Sequence, residues 1–334
     1  MDEFFLTLFS ITIILYINKY RKIIAQKINL FDVPDNIRKF HIIDTPLIGG
    51  IMIFSTLFFL FFYILFYDDN NKTNLFIFIT SFFVFFIGLI DDILDLSYKY
   101  KFISLFVIFT LFVTLDPSLQ ITKIYFSTFD KFIYFNNLSI LFTVSCLLLL
   151  TNAINLIDGI NGFCISVVII IFSWILLTFE NNNFIYVILT SLILILVLNL
   201  RGNVFLGDSG SLFLGSLVGL YIINNYNNVL ILRNFPVEDI FIVLMLPGID
   251  MLRVFFIRMV NRKNPFSSDR NHLHHLLLDK KLKLYQILII IVSFYVLPIL
   301  INSLSIINSS LIILISIIIY IIIILKIKNH KLIK

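Results

Sequence analysis

Apolar residues along this chain come in long unbroken blocks, not in the two-residue alternation of a half-buried sheet. Eleven blocks stand out: 4–18, 47–67, 73–90, 102–115, 138–151, 163–179, 184–199, 210–224, 238–257, 285–303 and 309–325. A membrane-crossing helix needs roughly 20 apolar residues, so the pattern predicts about eleven transmembrane helices and an all-α polytopic membrane protein. The blocks at 102–115 and 138–151 are short, and are expected either to be shielded by neighbours or to extend into the residues beside them. Between them, ITKIYFSTFDKFIYF (121–135) is too polar to span. Its β-branched and aromatic residues around Ser127–Asp130 predict a short external β-hairpin. No repeat, Pro- or Gly-rich linker or composition shift divides the chain, so a single domain over 1–334 is expected.

Composition sharpens this picture. Of 334 residues, 60% are hydrophobic and 13% charged, against about 45–50% and 25% in a soluble domain. Too little polar surface exists for a soluble globule, and the same apolar excess excludes intrinsic disorder. Cys146 and Cys164 both lie in or beside apolar blocks, so no disulfide framework or cysteine metal site is expected. The first block is not read as a cleavable leader, because Lys19, Arg21 and Lys22 follow the apolar stretch instead of preceding it.

Charge sets the expected orientation. With the N-terminus outside, eleven crossings place 21 of the 25 Lys and Arg on the cytoplasmic side and leave outside only Lys72, Lys123, Lys131 and Arg233. The expected cytoplasmic segments are 19–46, 91–101, 152–162, 200–209 and 259–283, with a cytoplasmic C-terminus. The net charge of +5 is then a topology signal, helped by anionic lipids, and not a sign of nucleic-acid binding.

The polar clusters fall on that same side, which makes them candidates for function, since ionisable groups at membrane helices are costly. The third block ends in DDILD. Asp91 and Asp95 are four apart and are expected to share a helix face. Paired carboxylates suit a divalent cation, although a solvated helix end is the simpler reading. In TNAINLIDGINGF, Asn152, Asn155 and Asp158 recur every three residues and would line one face, with Gly159 and Gly162 ending the helix. Amides there suit a base edge or a sugar hydroxyl; the plainer alternative is an interhelical hydrogen-bond stripe.

In LGDSGSLFLGSLVG, Asp208 precedes a helix whose first N–H groups would favour phosphate. Ser209 and Ser211 are alternatively simple caps, while Gly215, Ser216 and Gly219 read as packing residues. Pro247 is expected to kink its helix, and Asp250 and Arg253, three apart, read as a structural pair. In the longest polar loop, Arg270, His272, His274 and His275 lie next to Asp269. They suit a diphosphate, or zinc, though no fourth ligand is apparent.

The ordered motifs D-D-x-x-D, N-A-x-N-x-x-D-G-x-x-G, G-D-x-G-S and P-F-S-x-D-R-x-H-x-H-H, with the upstream stretch DVPDNIRKFHIIDTPLIGG (32–50), resemble the polyprenyl-phosphate N-acetylhexosamine-1-phosphate transferases, glycosyltransferase family 4. The H-x-H-H loop is more similar to the undecaprenyl-phosphate GlcNAc-1-phosphate transferase branch than to the phospho-MurNAc-pentapeptide transferase branch. The resemblance covers roughly residues 30 to 280. It implies attack by undecaprenyl phosphate on the β-phosphorus of a UDP-N-acetylhexosamine, with release of UMP, at the cytoplasmic face of the bacterial inner membrane. It implies Mg²⁺ or Mn²⁺ as cofactor, Asp208, Asp91 and Asp92 as metal ligands, and Asp91, Asp92 and Asp158 as catalytic carboxylates. Asn152, Asn155, Arg270, His272, His274 and His275 would bind substrate. Membrane lipids and a second copy of the chain are further candidate partners. One position departs from the pattern: Asn161 stands where many GlcNAc-branch members carry Asp, which puts a catalytic role there in doubt.

Three other readings compete. A transporter would set its polar groups through the bilayer midplane, whereas these crowd helix ends. A CDP-alcohol phosphotransferase would need an acidic motif on one helix that is absent here. The MurNAc-pentapeptide enzyme differs in its sugar donor.

Overall fold

The computed structural model describes residues 2–32, 44–67, 72–179, 184–232, 234–264 and 270–332. It is mainly helical, and each of the eleven apolar blocks coincides with a helix. In chain order these are α1 (Asp2–Lys19), α3 (Gly49–Tyr67), α4 (Lys72–Leu94), α5 (Tyr98–Leu115), α6 (Ser139–Leu156), α7 (Phe163–Thr178), α8 (Phe184–Leu200), α9 (Gly207–Leu232), α10 (Val237–Val260), α12 (Leu284–Ser303) and α13 (Ser309–Leu332). Two short helices lie in stretches expected to be loops: α2 (Arg21–Ile28) and α11 (Leu273–Leu278). Among the described residues, seven helices are long and apolar enough to cross a membrane: α3, α4, α5, α6, α10, α12 and α13. α1, α7 and α8 are shorter apolar helices. With Phe, Leu and Ile broadly exposed on the outer helices, the chain is a multi-pass membrane protein.

The two short blocks extend rather than rely on shielding. α5 begins at Tyr98 and α6 runs on to Leu156, so much of the polar sequence at 91–101 and 152–162 is helix end, not loop. α9 sits at the centre against α3, α4, α6 and α7. Leu212, Phe213, Leu214, Leu217, Val218, Leu220 and Tyr221 are all buried along it, as expected of a helix enclosed on every side. Its small residues work as packing surfaces: a Cβ at Gly215 would lie 2.8 Å from Cα of Thr151, and one at Gly219 2.8 Å from Leu147. Both contacts are with α6.

The hairpin forms as β3 (Lys123–Phe126) and β4 (Lys131–Tyr134), antiparallel, with Phe126 opposite Lys131. Glu238 at the start of α10 is buried and accepts from the backbone and hydroxyl of both Ser127 and Thr128, at 3.0–3.2 Å. This latches the turn to α10. The opposite end of α10 reaches the polar end of the bundle, and Pro247 lies inside the helix without ending it.

At that polar end a second ladder forms. β1 (Phe31–Asp32) pairs with β2 (Thr45–Pro46). The following residues stitch onto the segment entering α9: Phe205 N–H donates to Pro46 O at 2.9 Å, and Gly49 N–H to Phe205 O at 2.9 Å. Residues 33–43 of the upstream motif, and Asp269, lie outside the described residues. Cys146 and Cys164 are free thiols.

Candidate active site

The start of α9 organises the site. Gly207 adopts φ +73°, and a Cβ there would lie 2.7 Å from the Asp92 carboxylate, so only glycine lets α4 come this close. Asp92 then caps α9 from another helix. Its Oδ1 accepts from Asp208 N–H at 2.8 Å and its Oδ2 from Ser209 N–H at 2.9 Å. This overturns two expectations. Neither serine provides the cap: Ser211 Oγ donates within the helix to Gly207 O. The first N–H groups expected to serve a phosphate are instead engaged by Asp92, because a fixed carboxylate satisfies both orphan donors and the helix dipole at once.

Asp208 is thereby aimed at Asp91. Lys101, in the first turn of α5, stands between them: its Nζ lies 2.7 Å from Asp91 Oδ2 and 2.6 Å from Asp208 Oδ2. Asn155 Nδ2 donates to Asp208 Oδ1 at 2.7 Å and to Ser211 Oγ at 2.8 Å. Asp91 Oδ1 accepts from Leu96 N–H at 2.8 Å. Asp95 does not share this face. The helix ends at Leu94, Asp95 is exposed at φ +50°, and Lys101 balances Asp91 instead.

The donor set fits a hard divalent cation at Asp91 and Asp208, since two carboxylates already share one positive charge there. At Asp92 the fit is poorer, both oxygens being engaged. No three His, Cys, Asp or Glu side chains converge as a metal cage among the described residues. That is compatible with an ion held by one or two carboxylates, water and substrate phosphates.

Asp158 lies just beyond α6, in the turn that Gly162 closes at φ +80°. Burial, reinforced by the negative charges of Asp208, Asp92 and Asp32, pushes its carboxyl well above the usual range. Asn152 turns its amide back along its own helix and donates to Leu148 O at 2.8 Å. The histidine segment packs on the same turn: a Cβ at Gly159 would collide with Nε2 of His274. The rings of His274 and His275 lie 4.2 Å apart, and those of His272 and His274 6.0 Å apart. Burial, then the neighbouring charge of His275, holds His274 well below the usual histidine range. Burial and the Arg270 and His272 charges hold His275 down at about 4. Both are neutral near pH 7, so they offer hydrogen bonds rather than charge. Arg270 lies 3.7 Å from Asp279.

The structure thus joins Asp91, Asp92, Asn155, Asp158 and Asp208, with the histidines beside them. The sequence pattern assigned Lys101 no role in the site. A lysine early in an apolar helix, ten residues from Asp91, was the available signal. It also kept Asp250 as a simple partner of Arg253. That pair exists at 2.8 Å, but Asp250 binds His272 as well, at 2.8 Å.

Residues 74–225 match glycosyl transferase family 4. The chain is 32% identical over 152 residues to a probable undecaprenyl-phosphate N-acetylglucosaminyl 1-phosphate transferase of Bacillus subtilis, covering 41% of this chain and 39% of that protein. It is 24% identical over 283 residues to the undecaprenyl-phosphate alpha-N-acetylglucosaminyl 1-phosphate transferase of Escherichia coli K12, covering 76% and 71%. A protein of the latter name from Thermotoga maritima is 30% identical over 150 residues, covering 43% and 45%. The alignments therefore span less than half the length of two of these relatives.

Proposed function

We propose that this chain, whose residues 74–225 match glycosyl transferase family 4 and whose ordered motifs resemble that family, transfers an N-acetylhexosamine 1-phosphate from a UDP-sugar to undecaprenyl phosphate. A phosphate oxygen of the lipid bonds to the β-phosphorus, the bond from that phosphorus to the bridging oxygen breaks, and UMP leaves with the bridging oxygen. The lipid-linked sugar diphosphate would start assembly of a cell-surface glycan. One observation carries the reading: Asp91, Lys101, Asn155 and Asp208, drawn from α4, α5, α6 and α9, meet at one end of the bundle inside the family segment.

Two anionic phosphates must approach each other, so charge neutralisation is the main demand on the site. Asp208 and Asp91 would hold Mg²⁺ or Mn²⁺, which would supply Lewis-acid neutralisation of the diphosphate. Asp92 keeps Asp208 in place by capping its helix, and Asn155 fixes the rotation of the Asp208 carboxylate. Lys101 provides an ammonium that can turn from the carboxylates to a phosphate oxygen. Asp158, whose carboxyl burial pushes well above the usual range, can in its protonated form donate a hydrogen bond without adding negative charge. The neutral His274 and His275 can do likewise for the diphosphate or sugar. The polyprenyl chain has a matching surface: an apolar cleft of about 300 Å³ between α6, α9 and α10, lined by Cys146, Leu150, Ala153, Gly219, Gly248 and Leu252.

The reading includes eleven crossings, an outside N-terminus, a cytoplasmic C-terminus and an active site at the cytoplasmic face of the inner membrane. It is supported by the ends of the elements: α4, α6, α8 and α10 finish, and α9 begins, at the basic polar end, opposite the hairpin. The test is UMP release by purified protein given undecaprenyl phosphate, Mg²⁺ and a panel of UDP-N-acetylhexosamines. UMP with one donor, abolished by EDTA, is expected. No UMP with any donor contradicts the reading.

A further inference from the structure

The last helix of the chain reaches the histidine cluster through a single polar residue in an isoleucine-rich run. Tyr320 of α13 is 1% exposed. Its hydroxyl accepts from Arg253 Nε at 2.6 Å and donates to Asp250 Oδ1 at 2.6 Å. Asp250 Oδ1 also accepts from Arg253 Nη2 at 2.8 Å and from Leu273 N–H at 3.1 Å. Its Oδ2 faces His272 Nδ1 at 2.8 Å. Arg253 further donates from Nη2 to Asn271 O, which ties α10 to the residue preceding His272.

These bonds assign every proton. Arg253 can only donate, so Tyr320 must send its own proton to Asp250. A carboxylate ringed by the Arg253, Tyr320 and Leu273 donors is an acceptor, so the proton of the remaining contact sits on His272 Nδ1. The imidazole is then fixed in rotation and in tautomer, and its Nε2 is left over. That Nε2 is buried and has no hydrogen-bond partner among the described residues. The His272 ring lies parallel to that of His274, which abuts the turn carrying Asp158. A buried polar atom without a partner is costly, and is retained where a ligand completes it.

We propose that Asp250 and Tyr320 are positioning residues that lock His272 with Nδ1 protonated, so that the Nε2 lone pair accepts a hydrogen bond from a hydroxyl or amide N–H of the bound donor sugar. This rests on the phosphotransferase reading and adds to it a role for α10 and α13, which lie outside the matched family segment. Asp250 and Tyr320 touch no substrate themselves; they act through His272, as outer partners of a ligand histidine do.

A double-mutant cycle tests this. The kcat/KM for the UDP-sugar is measured in wild type, Asp250→Asn, Tyr320→Phe, His272→Ala and Asp250→Asn/His272→Ala, with thermal unfolding alongside. Asp250→Asn is expected to lose about 10–100-fold and Tyr320→Phe less, while Asp250→Asn costs nothing further once His272 is gone. Equal losses from Asp250→Asn in both backgrounds would overturn the proposal, since a purely structural role adds. ¹⁵N-histidine NMR gives a readout independent of turnover. His272, identified by loss of its signal in His272→Ala, should show a protonated Nδ1 that becomes a tautomer mixture in Asp250→Asn. An unchanged tautomer would overturn the inference, even in a protein that released no UMP and so refuted only the phosphotransferase reading.

Discussion

Two carboxylate centres lie at the polar end of this bundle, and they are built on opposite plans. Around Asp250, the partners Arg253, Tyr320, Leu273 and His272 all belong to the protein and point inward. Around Asp91 and Asp208, two carboxylates share one ammonium, and the Asp208 side chain remains 39% exposed. The first centre is saturated and serves as scaffold. The second has spare acceptor capacity, partial access to solvent and a cation on a flexible stem that can be replaced. A site that must admit a metal and a diphosphate needs the second plan, while the first holds the segment Asn271–Leu273 in place beside it.

The largest expected effect falls on the open centre. Asp208→Asn should remove about 4 kcal/mol of transition-state stabilisation, roughly 10³-fold in turnover, with little change in thermal unfolding. Near-normal turnover would refute the placement of the metal at Asp208.

Removing the shared cation sharpens the contrast. Lys101→Met leaves Asp91 and Asp208 facing each other, at a cost of about 2–3 kcal/mol. That is below the 3–5 kcal/mol of a fully buried pair, because Asp208 is partly exposed. The melting temperature of this variant should become strongly dependent on divalent ion and drop on EDTA treatment far more than that of wild type. Equal EDTA shifts would show that the ammonium and the metal do not compete for one place.

At the opposite end, Glu238→Ala strands the Ser127 and Thr128 donors and should cost about 1–3 kcal/mol of stability, with kcat unchanged. A fall in kcat would mean that the hairpin latch speaks to the site. The smallest effect is a pH dependence. His275 is held at about 4 in the folded protein against an ordinary value of 6.5, so below pH 6.5 the unfolded chain binds a proton that the folded one refuses. Stability is therefore full above pH 6.5 and falls as the pH drops towards 4. His275→Asn should flatten that part of the melting-temperature profile.

How much of this could be read from the chain alone follows from the range of the interactions. Apolar blocks are local, and each of the eleven coincides with a helix. The hairpin at Ser127–Asp130 was legible for the same reason, and so was the break at Gly159 and Gly162. α2 and α11 were hidden in polar stretches, because short helices held by packing carry little periodic signal. The site divided along the same line. Asp91, Asp92, Asn155, Asp158 and Asp208 were recognisable from residue type and spacing within motifs. The pairings were not, because each crosses the fold: Asp92 caps a helix 116 positions further on, and Lys101 spans 107 positions to reach Asp208. Tyr320, 70 positions from Asp250, carries no local signal within its isoleucine-rich run. Asp95 was expected on the helix face from its spacing alone, and the helix ended one residue too early.

The account stands on phosphoryl transfer at the Asp91–Asp208 centre, and isotope partition tests that most directly. Purified protein would be given undecaprenyl phosphate, Mg²⁺ and UDP-N-acetylglucosamine labelled with ³²P at the β-phosphate, and the label followed between the organic and aqueous phases. The account predicts that label moves into the lipid fraction as unlabelled UMP appears, and that Asp208→Asn abolishes both. Label that stays in water as inorganic phosphate, or sugar that reaches the lipid without its phosphate, would contradict it.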